Sequence, residues 1–159
     1  MLQIIGPWQS VAQAIQLTDD DLIRLSAHES FFTDHAYPAA GLFVEHVMQA
    51  PGMASQLADP AIAMRFTPMQ AAFFTGLGSD RLVQSDVEQL ERIGAVHARI
   101  GLEEQWVMAA TGAYYEYVLQ NATDFDANTL ISLVRRLRFC EIVMVHTYVR
   151  IKSESVSAR

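Results

Sequence analysis

The chain has 159 residues, 51% of them hydrophobic and 18% charged, with a net charge of −7. This composition describes one domain with a substantial core and excludes a disordered chain. It also lacks the clustered Lys and Arg that nucleic acid or an anionic membrane surface requires, so neither is expected as a partner.

Residues 1–16 hold two apolar pieces, Leu2-Gln3-Ile4-Ile5 and Val11 to Ile15, broken apart by Gly6-Pro7-Trp8. The segment has neither the basic start nor the apolar run of a secretory signal. Nowhere does the chain approach the ~18 uninterrupted apolar residues of a membrane span. Cys140 is the only cysteine, which excludes an internal disulfide and points to a reducing, cytoplasmic setting.

Thr18 is a good N-cap for a helix over LTDDDLIRLSAHESFF, with Asp19 to Asp21 in its first turn, where carboxylates suit the helix dipole. Leu22, Leu25, Phe31 and Phe32 give that helix a buried side. The acidic run reads as a solvated cap rather than a metal site, because consecutive carboxylates on a helix diverge. Tyr37-Pro38 opens a helix through AAGLFVEHVMQA that stops before Pro51-Gly52. Ala54 to Leu57 suggests a short turn. Asp59-Pro60 starts AIAMRFTPMQAAFFTGL, in which Pro68 predicts a kink or two short helices. Ile62, Phe66, Met69 and Phe73 share one face of it. Gly76-Leu77-Gly78-Ser79 is a connector without the lysine and spacing of a phosphate loop.

Ser85 and Glu88 have capping-box spacing, so a helix is expected over Ser85–Leu102 with Gly101 as its stop. Val87, Leu90, Ile93, His97 and Ile100 fall along one face, while Glu88, Glu91, Arg92 and Arg99 fall on the other. Gly94, on the His97 side, would let something flat come close. A buried imidazole needs a partner for its ring nitrogens. A backbone carbonyl is the ordinary one, and a metal from outside the polypeptide is the other. Gln105 to Leu119 forms a further helix with Trp106, Met108, Tyr114 and Tyr115, and a polar connector, Asn121 to Asn128, follows. The last helix, about Thr129 to Lys152, is apolar on two sides, as a central or partner-shared helix would be. A frayed tail is expected over 153–159. No alternating run predicts a strand, so the reading is one all-α domain of six to eight helices. Zinc spacings, serine elbows and dinucleotide fingerprints are absent from the sequence.

ERIGAVHARIGLEEQW resembles the signature region of the globin-coupled sensors, haem globins that regulate attached signalling domains. In that family a helix-borne histidine, an R-I-G-L run and a later Trp mark the proximal iron ligand. The matching residues are His97, Arg99-Ile100-Gly101-Leu102 and Trp106. LTDDDLIRL resembles the family's LTxEDL opening, LFVEHVMQ its F-Y segment, and AAFFTGL the end of its distal helix, so that the resemblance covers about Gln16 to Tyr148. It implies a globin fold over 1–159 with an extra segment at 1–16, and haem b on His97. Phe43, Val44, Ile62, Arg65, Phe66, Met69, Phe73, Leu90, Ile93, Ile100 and Val107 are then expected to line the pocket. It further implies a homodimer through the last two helices, for which Leu133, Leu137, Val145 and Val149 are the expected contacts.

One departure stands out. Many family members carry a distal tyrosine where this chain has Val44. Among the neighbouring distal positions only Arg65 has a donor, and a haem propionate competes for it. A distal pocket without a donor favours CO, NO or redox state as the signal over stable O2 binding. Met64 or Met69 would be an alternative sixth ligand. Two other readings stand beside the gas sensor: a regulatory module of the same fold that has lost haem, and a haem enzyme acting on NO or peroxide. The sequence contains no recognisable output domain, so the expected role is a sensor rather than an enzyme.

Overall fold

The computed structural model describes residues 1–158. In chain order these form β1 (Leu2–Gln3), α1 (Pro7–Ala14), α2 (Asp19–Ser26), α3 (Glu29–Asp34), α4 (Ala36–Val47), α5 (Met53–Leu57), α6 (Pro60–Leu77), β2 (Leu82–Val83), α7 (Gln84–Arg99), α8 (Glu104–Asn121) and α9 (Ala127–Ser157). The all-α expectation holds, with nine helices among the described residues where six to eight were expected. None of them is long and apolar enough to cross a membrane.

Several local expectations are corrected. Two short strands exist after all: β1 pairs in parallel with β2, Leu2 opposite Leu82 and Gln3 opposite Val83. They are too short to show an alternating pattern and form only because the chain start is laid beside the α6–α7 connection. α7 begins before Ser85: its N-cap is Val83, whose N–H is accepted by the Asp86 carboxylate at 2.8 Å. The stretch expected to be one helix from Thr18 divides into α2 and α3. Pro68 does not break α6; Pro68 and Met64, whose carbonyl it leaves unpaired, both lie on the exposed side, so the lost bond stays out of the core. α9 continues past Lys152, its last turns closed by Ser153, Ser155 and Ser157 hydroxyls bonding back to carbonyls and by an Arg150–Glu154 pair at 3.2 Å.

Two core halves meet along α8 and α9. The first gathers Phe32, Phe43, Phe74, Tyr114, Leu133 and Leu137 from α3, α4, α6, α8 and α9. The second gathers Ile4, Trp8, Val87, Leu90, Phe139 and Val143 between the 1–16 segment, α7 and α9. That first segment is therefore docked rather than loose. Trp8 is buried, donates its indole N–H to Glu91 at 3.0 Å, and meets the His146 ring edge-on at 5.3 Å.

Buried polar groups tie the halves to α9. Asp21 departs from the solvated cap expected of the acidic run: Asp19 and Asp20 are exposed, but its own carboxylate is sealed in. It accepts from Ser132 at 2.8 Å, the Thr18 N–H at 2.9 Å and Arg135 at 3.2 Å. Burial alone would raise its pKa; these bonds together outweigh it and bring the pKa below the usual carboxylate range. Arg136 is also buried and donates to three backbone carbonyls, Ser79 at 2.8 Å, and Gly76 and Arg81 at 2.9 Å.

Candidate functional site

His97 stands in the last turn of α7, and the residues after it explain its rigidity. Gly101 takes φ +73, the left-handed conformation that only glycine adopts without strain. This lets Leu102 N–H reach the His97 carbonyl at 3.1 Å and Gly101 N–H reach Ala98 at 3.3 Å. The pair of bonds is a Schellman cap, so the Ile-Gly-Leu run is the device that ends the helix just beyond the histidine.

α7 packs along α9, and α6 packs on α4; α6 and α7 meet in no comparable seam. Large apolar side chains stay open on both: Ile62 and Met69 of α6 are 46% and 54% exposed, and Ile100 after α7 is 43% exposed. The stripe of α7 sealed against α9 is Val87, Leu90, Gly94 and Ala98. Gly94 thus serves a different purpose from the one expected. A Cβ there would run into the Met144 carbonyl oxygen, so the glycine lets α7 lie close on α9 and leaves His97 on the neighbouring side.

His97 is half-buried as a whole, but its Nδ1 is fully buried and has no hydrogen-bond partner. The expected carbonyl acceptor is not there. Burial lowers the imidazole pKa to about 4. The ring is therefore neutral near pH 7, with a lone pair free for a metal. Among the described residues no three His, Cys, Asp or Glu side chains converge on a metal-sized site, so His97 is a single protein donor. A lone neutral imidazole, unbonded at Nδ1 and with Ile100 exposed one turn on, fits a flat, apolar group that brings its own metal and needs one axial ligand. These features fit haem.

The other expected pocket residues divide. Ile93 is half-buried on α7, and Arg65 is exposed on α6. Phe73 packs against both core halves, and Phe43 is buried with Phe66 at 6.1 Å. Val44 and Phe66 line an apolar groove of about 370 Å³ between α4, α5 and α6. Leu90 and Val107 lie inside the second core half. His46 is not a ligand candidate: its Nδ1 lies 2.9 Å from the Leu42 carbonyl, and its Nε2 lies 3.4 Å from Glu116.

Two residues were missed. Tyr114 is fully buried, with its ring stacked on Phe43 at 4.9 Å and Phe73 at 5.5 Å. Its hydroxyl donates to Gln70 Oε1 at 2.6 Å. Gln70 follows Phe66 by four residues and precedes Phe73 by three, a spacing that puts it beside the apolar face already read from the sequence. The partnership with Tyr114 across two helices left no sequence signal.

The expected dimer contacts also need correction. Leu133 and Leu137 are buried in this chain's own core, because α9 turns that stripe inward. Val145 is half-buried and Val149 exposed. The outward stripe of α9 is Ile131, Val134, Val145 and Val149, and Met108 and Leu119 of α8 are exposed as well. The Tyr115 hydroxyl, buried and unpartnered, belongs to this other side of the molecule, where burial and the Glu141 charge raise its pKa.

Among solved structures, the globin domain of a Geobacter sulfurreducens globin-coupled sensor superposes with a TM-score of 0.79 at 18% identity. The match covers 88% of this chain and 96% of that one. At that identity the likeness shows the fold, which is the globin fold. No curated protein matches the chain. The protoglobin family model matches residues 8–149, from Trp8 through the His97 helix to Val149. The chain therefore belongs to the protoglobin family.

Proposed function

We propose that this protein is a sensor globin that holds haem b between α6 and α7, on His97. It would report a diatomic gas (O2, NO or CO), or redox state, through a homodimer. The observation that carries the reading is the His97 ring: neutral, unbonded at its buried Nδ1, and held by the cap that ends α7, with Ile100 exposed one turn on. When bound, haem supplies an iron able to take a gas ligand. His97 holds that iron through one ring nitrogen. Ile62, Phe66, Met69 and Phe73 from α6 and Ile93 and Ile100 beside α7 exclude water. Arg65, charged and exposed, is placed for a propionate. The setting is a reducing cytoplasm, in which buried Cys140 stays a thiol, and the output is a separate signalling domain or protein.

The visible spectrum of the purified protein tests this, with wild type and His97→Ala compared in ferric, ferrous and CO-bound forms. A sharp Soret band in the wild type, lost or strongly altered by the substitution, is the expected result. A wild type that takes up no haem when supplied with it would refute the reading.

The signal route rests on the outward stripes of α8 and α9. A gas can bias a dimer only if it binds one packing better than another. Val134→Asp and Val149→Asp are expected to halve the sedimenting mass with helix content unchanged. Retention of the wild-type mass by both variants would remove this interface.

A further inference from the structure

We propose that residues 1–16 form a strap that couples the position of His97 to α9, with Trp8 and Glu91 as its positioning residues. This rests on the haem reading above. The strap is tied to α7 at its start and again near its middle. β1 pairs with β2, which runs directly into α7, and the Ile5 N–H donates to Oε1 of Gln84, the first residue of α7, at 3.3 Å. Further along, the Trp8 indole donates to Glu91 Oε1 at 3.0 Å. Ile4, Trp8 and Ala12 are buried in one cluster with Val87 and Leu90 of α7 and with Val143 and Met144 of α9. Trp8 thus stands against both helices, bonded to Glu91 on one and with its ring edge-on to His146 on the other at 5.3 Å.

The order of residues along α7 makes a lever of this contact. Gly94 lies so near the Met144 carbonyl that a Cβ would not fit, so α7 cannot move further toward α9 at that point. Glu91 precedes Gly94 by three residues and His97 follows it by three, about 4.5 Å of helix to either side. α7 is one uninterrupted helix, capped at its start by Asp86 and at its end by the bonds around Gly101. A shift of His97 relative to α9 therefore tilts α7 about Gly94 and displaces Glu91 the opposite way. The Trp8–Glu91 bond has the preferred N–H···O length, so displacement in either direction weakens it. On α9, the stop at Met144 and the ring of His146 flank Val145, which belongs to the outward stripe. The strap links what happens at His97 to the surface on which the dimer reading rests.

The test uses the full chain, with amide hydrogen exchange followed by mass spectrometry and with resonance Raman of the ferrous form. In the haem-loaded wild type, carbon monoxide is expected to speed exchange over α1 about tenfold, within the ordinary range of coupling between sites, and to leave residues 19–34 unchanged. Trp8→Phe keeps a ring but loses the N–H, and Glu91→Leu loses the acceptor. Each is expected to abolish the carbon monoxide effect and to shift the iron–histidine stretching band. Glu91→Gln keeps an acceptor oxygen and is expected to behave as wild type in both. The haem-free chain supplies an independent measure. There Gly94→Ala forces α7 off its pivot, and is expected to speed exchange over α1 about tenfold more than over residues 19–34.

If carbon monoxide leaves exchange over α1 unchanged in the haem-loaded wild type, the proposal is overturned. If Trp8→Phe and Glu91→Leu keep the wild-type iron–histidine band, the strap only stabilises the fold, and the proposal is equally overturned. A Gly94→Ala chain whose exchange rises equally over α1 and residues 19–34 removes the lever without reference to haem. A His97-dependent haem spectrum with any of these results rejects this proposal alone. A wild type without haem rejects the reading beneath it as well.

Discussion

Arg136→Met is expected to destabilise the fold by ~3–5 kcal/mol and to lower the melting temperature by on the order of 10 °C. The guanidinium is buried in α9 and donates to the carbonyls of Gly76, Ser79 and Arg81. These carbonyls belong to the end of α6 and the connection into β2. Burial lowers the Arg136 pKa, a sign of how little water reaches the group. Methionine fills much of the volume but donates nothing, so three carbonyls lose a bond in a place water cannot replace it. Lysine is a poor substitute, because a single ammonium cannot reproduce a planar fork that reaches three acceptors. Urea unfolding of wild type, Arg136→Met and Arg136→Lys measures this. A loss below ~1 kcal/mol for the methionine variant, comparable to a single ordinary hydrogen bond, would mean that the connection is held by other contacts.

Gly94→Ala is expected to cost ~1–3 kcal/mol, and Gly94→Val more, through overpacking. The added Cβ meets the Met144 backbone, which cannot rotate away as a side chain would. α7 must then move off α9. His97 is carried on the same helix less than a turn later, so the variant should also retain haem less well. Gly41→Ala is the control: that glycine lies inside α4 with open space where a Cβ would go. There the better helix propensity of alanine should leave stability unchanged or raise it by up to ~1 kcal/mol. Thermal melts of both variants, and haem loss to an excess of an acceptor globin, separate the two effects. Equal stability of Gly94→Ala and Gly41→Ala would show that the α7–α9 approach is not tight.

Much of the helical architecture was legible from local chemistry. Thr18, Asp59-Pro60 and Gly101 mark real helix ends, and the apolar spacing of the α7 segment placed His97 on a helix. Such signals work because caps, prolines and left-handed glycines act within one turn, where sequence neighbours are spatial neighbours. The signature ARIGLEEQW was readable for the same reason: the Schellman cap is built from consecutive residues.

Position relative to other helices was not legible. Leu133 and Val134 are adjacent in sequence, yet one is core and the other is surface. Either side of a helix apolar all round can be the buried one, and only the packing of α2, α7 and α8 around α9 decides which. The same holds for Gly94, read as space for a flat ligand when it is space for α9, and for Asp21, whose partners Ser132 and Arg135 are far along the chain. Gln70 and Tyr114 show it most directly. By itself the sequence determined that this chain is helical and that His97 stands capped near the end of one helix. The tertiary structure decided which side chains are sealed in and which polar groups meet, because a hydrogen bond between two helices depends on their docking and leaves no periodicity in either one.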